Sequence, residues 1–157
     1  MRNDQPGSAR DREIVEATFA EAARLHERAA RETATAVLEA ASTISRSLKS
    51  GGKVLVFGNG GSAADSQHLA SELVGRFSCE RRALAAVALP PDSSVLTSVA
   101  NDYDFERGFA RQVEALGGGG DVAGGISTSG RSPNVVAALR EARARGLHTI
   151  ALTGGDG

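Results

Sequence analysis

The stretch "VFGNGGSAADSQHLASEL", residues 56–73, decides the fold, because an apolar run, a glycine turn and a polar-faced helix follow one another directly. With the preceding "KVL", the run is short, β-branched and bounded by glycines, which is typical of a strand buried on both faces of a parallel sheet. Ser62 is expected to cap a helix from about Ala63 to Arg76. The open question is whether the turn binds a phosphate or only reverses the chain.

The same alternation of strand and helix continues along the sequence. Further strands are expected at 84–89, 121–127 and 147–154, and helices at 92–99, 105–116 and 132–145. Pro133 suits the first turn of its helix, where a missing N–H costs nothing. Gly124 and Gly125 make the strand at 121–127 the weakest prediction, since glycine weakens pairing while it permits close backbone approach. The alternation predicts an α/β fold with a doubly wound parallel sheet.

The first third of the sequence predicts two amphipathic helices that form a hairpin, or one long helix with a break near Glu32. Gly51 and Gly52 are expected to end it, and residues 1–9 are expected to form a disordered tail before a single domain over residues 10–157. The alanine-rich stripes of these helices could pack on a neighbouring helix of the same chain or of a second copy. The apolar positions at helical spacing are Val15, Phe19, Ala22 and Leu25, and then Val37, Ala41, Ile44 and Leu48.

Composition excludes several classes of function. The net charge is -1, with 18 basic and 19 acidic residues, so no long-range field would gather nucleic acid or an anionic membrane. Apolar stretches fall short of the roughly 20 residues that span a bilayer. The single Cys79 cannot form an internal disulfide, and no apolar leader follows the start, so a cytoplasmic protein is expected.

Two turns are candidates for binding an anion. "GNGGS" at 58–62 and "STSGRS" at 127–132 both follow predicted strands, at the sheet edge where helix N-termini present free N–H groups. Glycine lets the backbone approach an oxyanion, and the second turn is dense in hydroxyl donors. The alternative is ordinary turn and capping chemistry, with Ser132 as an N-cap before Pro133. A single phosphate site would explain both turns at once. Neither turn matches a lysine-bearing P-loop or the dinucleotide fingerprint.

The helix after the first turn carries a polar face. Asp65, His68 and Glu72 lie at i, i+3 and i+7 and therefore share one side of the helix. A carboxylate beside an imidazole could shuttle protons or bind a metal. The alternative is an exposed face on which Glu72 pairs with Arg76, for about 0.3 to 0.5 kcal/mol.

A further polar triplet, "AND" at 100–102, follows another predicted strand and helix. Asn101 and Asp102 could reach the same cleft. From these residue types alone, a turn is the better explanation.

Several separate segments, in order, resemble one known family over nearly everything from Ala34 to Gly157. "VFGNGGSAADSQHLASELVGRF", "SVANDYDFERGFARQVEALG", "GDVAGGISTSGRSPNVVAALREARARG" and "TIALTGGDG" are similar to the sugar isomerase (SIS) domain proteins, and specifically to the sedoheptulose 7-phosphate isomerases, or phosphoheptose isomerases. The resemblance implies a flavodoxin-like SIS fold.

The resemblance also implies a cytoplasmic homotetramer that converts sedoheptulose 7-phosphate to D-glycero-D-manno-heptose 7-phosphate through an enediol, in heptose biosynthesis. By matching motif, Glu72 would be the acid/base, and His68 and Glu72 would be zinc ligands. The substrate-binding residues carried over in the same way are Asn59, Gly60, Gly61, Asn101, Asp102, Ser127, Thr128, Ser129 and Ser132.

The sequence departs from that family where it ends. The family continues past "TGGDGG" with a strand and a helix that bring a Gln and a His to the zinc, whereas this sequence ends at Gly157. Taken as given, the sequence predicts a missing C-terminal strand and helix, an exposed sheet edge and weak or absent turnover. Neither His26 nor His148 matches the missing position.

Two other functions remain open. A related protein of the same fold binds the bacterial replication initiator without isomerase activity, and "SSVLTSVAND" and "RQVEALG" resemble it too. The carboxylate at Glu72 and the intact "GNGGS" argue against it. A domain that senses a sugar phosphate needs no acid/base, although no basic patch or DNA-binding helix pair accompanies it here.

Overall fold

The structure is a computed structural model, and it describes residues 7–155. Within these residues nine elements follow one another in the order that the sequence predicts after a long first helix, with two successive helices between the second and third strands. Their bounds are α1 Ala9–Lys49, β1 Val54–Gly58, α2 Gly61–Val74, β2 Ala86–Ala88, α3 Ser93–Asp102, α4 Arg107–Leu116, β3 Val122–Ser127, α5 Pro133–Ala144 and β4 His148–Thr153.

The four strands form one parallel sheet in the order β2–β1–β3–β4. The chain passes from β1 to β2 on one side and then crosses to β3 on the other side of β1, so the winding reverses between β1 and β3. Open α/β sheets bind their ligands at such a switch point, beyond the carboxyl ends of the strands. The doubly wound parallel sheet is confirmed, and the structure shows where its crevice must lie.

β1 is buried along its whole length and supports a core on each face of the sheet. Leu55 and Phe57 pack with residues of α4 and α5, and the Phe57 ring lies 5.6 Å from that of Phe109. Val54 and Val56 pack on the opposite face, against residues of α2 and the end of α1. Side chains alternate across a strand, so the apolar run at 54–57 serves both cores, as its composition predicts.

The glycines of β3 permit a close approach of α5. A Cβ atom on Gly125 would lie 2.9 Å from Val135 Cγ1 and 3.0 Å from Leu139 Cδ1. Both neighbours belong to α5, which therefore sits nearer to the sheet than a side chain at Gly125 would permit. The strand is present despite its glycines, and the close approach that the sequence suggested at this pair occurs at Gly125.

The expected hairpin in the first third is wrong, and the alternative of one long helix is right except for its break near Glu32, because α1 is one continuous helix from Ala9 to Lys49. No glycine or proline interrupts residues 9–49, so nothing there ends a helix of such high intrinsic propensity. A capping box starts it: Ser8 Oγ accepts from the N–H of Asp11 at 3.2 Å, and Asp11 Oδ2 accepts from the N–H of Ser8 at 3.0 Å. Of the expected tail, residues 1–6 lie outside the described residues, and residues 7–9 form this helix start.

The expected cap at Ser62 is also wrong. The N-cap of α2 is Gly60, with φ 56° and ψ -121°, a conformation that glycine adopts without steric cost. Because the chain turns there, the helix begins earlier than predicted. Ser62 is buried in its first turn, where its carbonyl accepts from Ser66 Oγ.

The chain divides into two compact units, one ending at Ala40 and one beginning at Ala41. The first unit holds most of the length of α1. The second holds the end of α1, the sheet and the other helices, with β4 at one edge of the sheet. No helix within residues 7–155 is both long and apolar enough to cross a bilayer.

Candidate active site

Two turns meet at the switch point of the sheet. We call residues 58–62 the glycine turn and residues 127–132 the serine turn. Gly58, the last residue of β1, pairs with Ile126 of β3, so the two turns leave the sheet side by side. The convergence expected from the sequence is therefore present in the structure.

Asn59 and Asn134 join the two turns. The Asn59 Nδ2 amide donates to Asn134 Oδ1 at 2.9 Å, and Asn134 Nδ2 donates back to Asn59 Oδ1 at 2.8 Å. Asn134 lies in the first turn of α5 and is only 3% exposed. Sequence reasoning missed this residue, because an Asn behind a proline at a helix start suggests nothing beyond a turn.

The glycine turn leaves room for a ligand at the start of α2. A Cβ atom on Gly58 would lie 2.7 Å from the carbonyl oxygen of Ile126 and 2.7 Å from Ser62 Cβ, so only glycine fits there. Around Gly60 and Gly61, by contrast, a Cβ would meet no atom within 4 Å. No side chain among residues 7–155 caps α2. Free N–H groups and the positive end of the helix dipole are what an anion requires.

The serine turn presents hydroxyls at the start of α5. Ser132 holds the N-cap position without capping the helix, and its Oγ lies 2.9 Å from Ser127 Oγ. Ser129 Oγ accepts from the N–H of Arg131 at 3.2 Å, and the carbonyl of Thr128 accepts from Gly154 N–H. Thr128 and Ser129 are exposed. Because Ser132 makes no capping bond to α5, helix capping does not explain why this turn is rich in serine. The alternative of ordinary turn and capping chemistry is therefore weaker.

The polar face of α2 borders an open groove of about 650 Å³. His68 Nε2 lies 3.2 Å from Glu72 Oε1, and Asp65 lines the groove beside them. The Glu72 side chain is 39% exposed and that of His68 73%. The expected surface pair of Glu72 with Arg76 is not formed, since Arg76 lies 3.8 Å from Glu80 instead.

The groove and the turns lie at different points of α2. None of the groove-lining residues belongs to either turn. Glu72 follows Gly61 by three helical turns, or about 16 Å along the helix axis. Within residues 7–155 no hydrogen bond joins Glu72 to the turns. Because of the separation along α2, a ligand that contacted both Glu72 and the turns would have to be extended.

The carbonyl of Glu72 is held by Arg81, another residue that sequence reasoning missed. The Arg81 guanidinium donates to the carbonyl oxygens of Glu72 at 2.7 Å and Leu73 at 2.9 Å, and to that of Gly75 at 3.0 Å. A cation at these last carbonyls of α2 also complements the negative end of the helix dipole. No periodic pattern points to such a residue, because it lies in an irregular segment.

A zinc site is only half supplied by the described part of the chain. No cluster of three or more His, Cys, Asp and Glu side chains occurs within residues 7–155. Zinc usually takes three or four protein ligands, and His68 with Glu72 offers two.

Asn101 and Asp102 form the last turn of α3 rather than a separate turn. Both are exposed, and Asn101 Nδ2 donates to Asp102 Oδ1 at 2.9 Å. The hydrogen bonds described for residues 7–155 do not connect either residue to the glycine turn or the serine turn.

Comparisons with known proteins place the chain in a family. The sequence model of the SIS domain family matches residues 18–154. The chain is 57% identical over 126 residues to the phosphoheptose isomerase of Citrifermentans bemidjiense, covering 80% of this chain and 66% of the relative. It is 54% identical over 145 residues to that of Desulfovibrio desulfuricans, covering 92% and 69%. The chain thus spans about two thirds of the length of these relatives.

Solved structures give the same result. The phosphoheptose isomerase GmhA from Neisseria gonorrhoeae superposes with a TM-score of 0.87 at 48% identity, covering 93% of this chain and 76% of that one. A phosphoheptose isomerase from Francisella tularensis superposes with a TM-score of 0.89 at 39% identity, covering 92% and 76%.

Proposed function

The chain belongs to the SIS domain family and, within it, to the phosphoheptose isomerases, and on that premise we propose that it interconverts sedoheptulose 7-phosphate and D-glycero-D-manno-heptose 7-phosphate. The single observation that carries the proposal is that the two turns meet at the switch point, where the glycine turn leads into the helix that bears Glu72. Heptose biosynthesis is the pathway class that such a reaction serves.

The two turns bind the phosphate group of the substrate. The N-termini of α2 and α5 supply backbone N–H donors, and Thr128 and Ser129 supply exposed hydroxyls. Phosphate contacts remain the same in both isomers, so they fix the sugar in place without favouring either one. The sugar chain extends from this site along α2 towards the groove.

Glu72 moves the proton. Its carboxylate takes a proton from C1 of the ketose, and the electron pair left behind forms the C1–C2 double bond of an enediol while O2 gains a proton. Return of the proton to C2, with loss of the O1 proton, gives the aldose. His68, 3.2 Å from Glu72 Oε1, orients the carboxylate for this transfer.

Zinc binding is a separate part of the proposal. His68 and Glu72 would supply an imidazole nitrogen and a carboxylate oxygen, which suit zinc, with the remaining ligands coming from outside the described residues. A bound zinc ion would supply Lewis-acid polarisation of the substrate oxygens.

We propose a homo-oligomer, a tetramer, built through α1, acting in the cytoplasm. Up to Ala40, α1 exposes large apolar side chains, among them Phe19 at 73%, Leu38 at 70% and Val37 at 60% exposure. Apolar side chains along a helix are normally covered by another helix, and a second copy of the chain offers one. The free, exposed thiol of Cys79 fits a reducing compartment.

Solvent exchange tests the reaction sensitively. The protein is incubated with sedoheptulose 7-phosphate in D2O, and NMR follows both the aldose and deuterium at C1 and C2. Glu72→Gln is expected to slow both by about 10²- to 10⁴-fold, with binding of inorganic phosphate retained. The matched control is Glu80→Gln, which removes a carboxylate that is 85% exposed.

Two outcomes would contradict the proposal. Equal rates for the wild type and Glu72→Gln would exclude the role given to Glu72. Sugar-phosphate binding by the wild type with neither aldose formation nor deuterium incorporation would exclude isomerisation and favour a sensing domain.

A further inference from the structure

The reciprocal pair of Asn59 and Asn134 joins the glycine turn to the first turn of α5, directly after the serine turn. Each amide donates one N–H and accepts one, at 2.9 and 2.8 Å, across 75 positions of sequence. Asn134 is buried, and Asn59 is half-buried. Removing Asn59 would leave the buried amide of Asn134 without its partner, which is unfavourable.

The pair bridges the two anion-binding elements. Asn59 is the first residue after β1 and lies directly before Gly60, whose positive φ lets the backbone turn. Asn134 lies two residues after Ser132, at the point where α5 begins. The bridge therefore connects the entry to α2 with the entry to α5.

We infer that Asn59 and Asn134 form a clasp that sets the spacing of the glycine and serine turns, which makes Asn134 a positioning residue for phosphate binding. The inference rests on the proposed function, in which these turns bind phosphate. It gives Asn59 a positioning role in addition to the sugar contact expected from the sequence.

The physical reason is that an oxyanion shared by two helix N-termini needs both at a fixed distance. The sheet sets that distance at Gly58 and Ile126, but the turns continue beyond the last paired residues. Beyond Gly58, Gly60 adds backbone freedom. A two-way amide bond immediately beyond the sheet limits this freedom and prepares the site for the anion.

A double-mutant cycle tests the clasp with inorganic phosphate as the probe. Its dissociation constant is measured by calorimetry for the wild type, Asn59→Ala, Asn134→Ala and the double variant. Each single variant is expected to weaken binding about tenfold, and the double variant by about the same factor, since either change already opens the clasp. With sedoheptulose 7-phosphate as substrate, KM should rise while kcat changes little.

Gln112→Ala is the matched control. Gln112 is also a buried amide, 8% exposed, and its Nε2 donates to the carbonyl of Gly108 within α4, away from both turns. Gln112→Ala should lower the free energy of unfolding about as much as the Asn variants do and leave phosphate affinity unchanged. If Asn134→Ala fails to fold, Asn134→Ser, which keeps a polar group at the helix start, replaces it with the same expectation.

The outcomes separate this inference from the proposed function. A hundredfold loss in the double variant would mean that the residues act independently and would overturn the clasp, as would an Asn134 variant that behaves like Gln112→Ala. A wild type that binds no phosphate would overturn the phosphate site itself, and the clasp with it.

Discussion

Ser127 Oγ and Ser132 Oγ lie 2.9 Å apart, which ties the last residue of β3 to the residue that precedes α5. The contact bends the serine turn back on itself, so that Thr128 and Ser129 lie on the outside of the bend and are exposed. Ser132 makes this contact in place of the N-cap bond that its position would allow. The arrangement leaves the N-terminal N–H groups of α5 available to an anion.

Ser132→Ala is expected to weaken the binding of inorganic phosphate by about three- to tenfold, because the hydrogen bond that the Ser132 hydroxyl makes within the serine turn is lost. The effect on the unfolding free energy should be small, since Ser132 does not cap α5. Calorimetry measures the affinity. Ser94→Ala, at the exposed start of α3, is the control and should bind phosphate as the wild type does. Unchanged affinity in Ser132→Ala would remove this hydroxyl from the site.

Gly125→Ala is expected to destabilise the fold by about 1–3 kcal/mol, because the added methyl group would press against α5. Gly124→Ala is the matched control, since its Cβ would lie 3.7 Å from Val56 Cγ1, an ordinary contact. The change in unfolding free energy caused by Gly124→Ala should lie near zero. Chemical denaturation measures both free energies of unfolding. Equal losses in the two variants would show that strand propensity, and not the approach of α5, explains the glycine.

Asp121 makes stability depend on pH. Burial alone would raise the pKa of its carboxyl, but the hydrogen bonds from Lys53 Nζ and from the N–H groups of Gly118 and Lys53 outweigh burial and lower the pKa below 3.8. A group whose pKa is lower in the folded state stabilises the fold above its unfolded pKa and loses that contribution as pH falls through its folded pKa. Stability from Asp121 should therefore be full at neutral pH and decline below about pH 4.

Asp121→Asn should cost about 1–3 kcal/mol at pH 7, because the buried carboxylate loses its charge-assisted hydrogen bonds, while the Lys53 side chain is 35% exposed and stays solvated. The difference from the wild type should shrink as the pH falls below about 4. Urea denaturation across this range measures it. Glu114→Gln is the control, since its pair with Arg111 is about half exposed on both sides and contributes little. If the difference in unfolding free energy between the wild type and Asp121→Asn stayed constant down to pH 2, the pH dependence would not come from Asp121.

Zinc content tests the metal part of the proposal. The purified protein is incubated with zinc and desalted, and mass spectrometry measures the zinc that stays bound. The wild type should contain zinc, whereas His68→Ala should bind zinc with at least tenfold lower affinity, because the site loses a nitrogen ligand. His148→Ala is the control, since His148 begins β4 and lines no groove with Glu72. Equal zinc retention by His68→Ala and His148→Ala would exclude a zinc site at His68.

The sequence by itself determined the order of the elements and the identity of both turns. The apolar run at 54–57, the glycines at 58–61 and the proline at the start of α5 act on neighbouring residues, so a local pattern is enough to read them. The same patterns predicted the wrong hairpin, because apolar spacing alone does not show whether two helical stretches are continuous, and the wrong cap, because helix boundaries are the least reliable part of a prediction from sequence.

Only the tertiary structure decided what these elements do to one another. Asn134 becomes the partner of Asn59 because the strand order places β3 beside β1, and Gly125 is needed because α5 lies on that strand. Such contacts join residues far apart in the chain, and their existence depends on sheet order and register. Neither sheet order nor register can be read from the spacing of residues along a single segment, which is why the two turns were predictable and the contact between Asn59 and Asn134 was not.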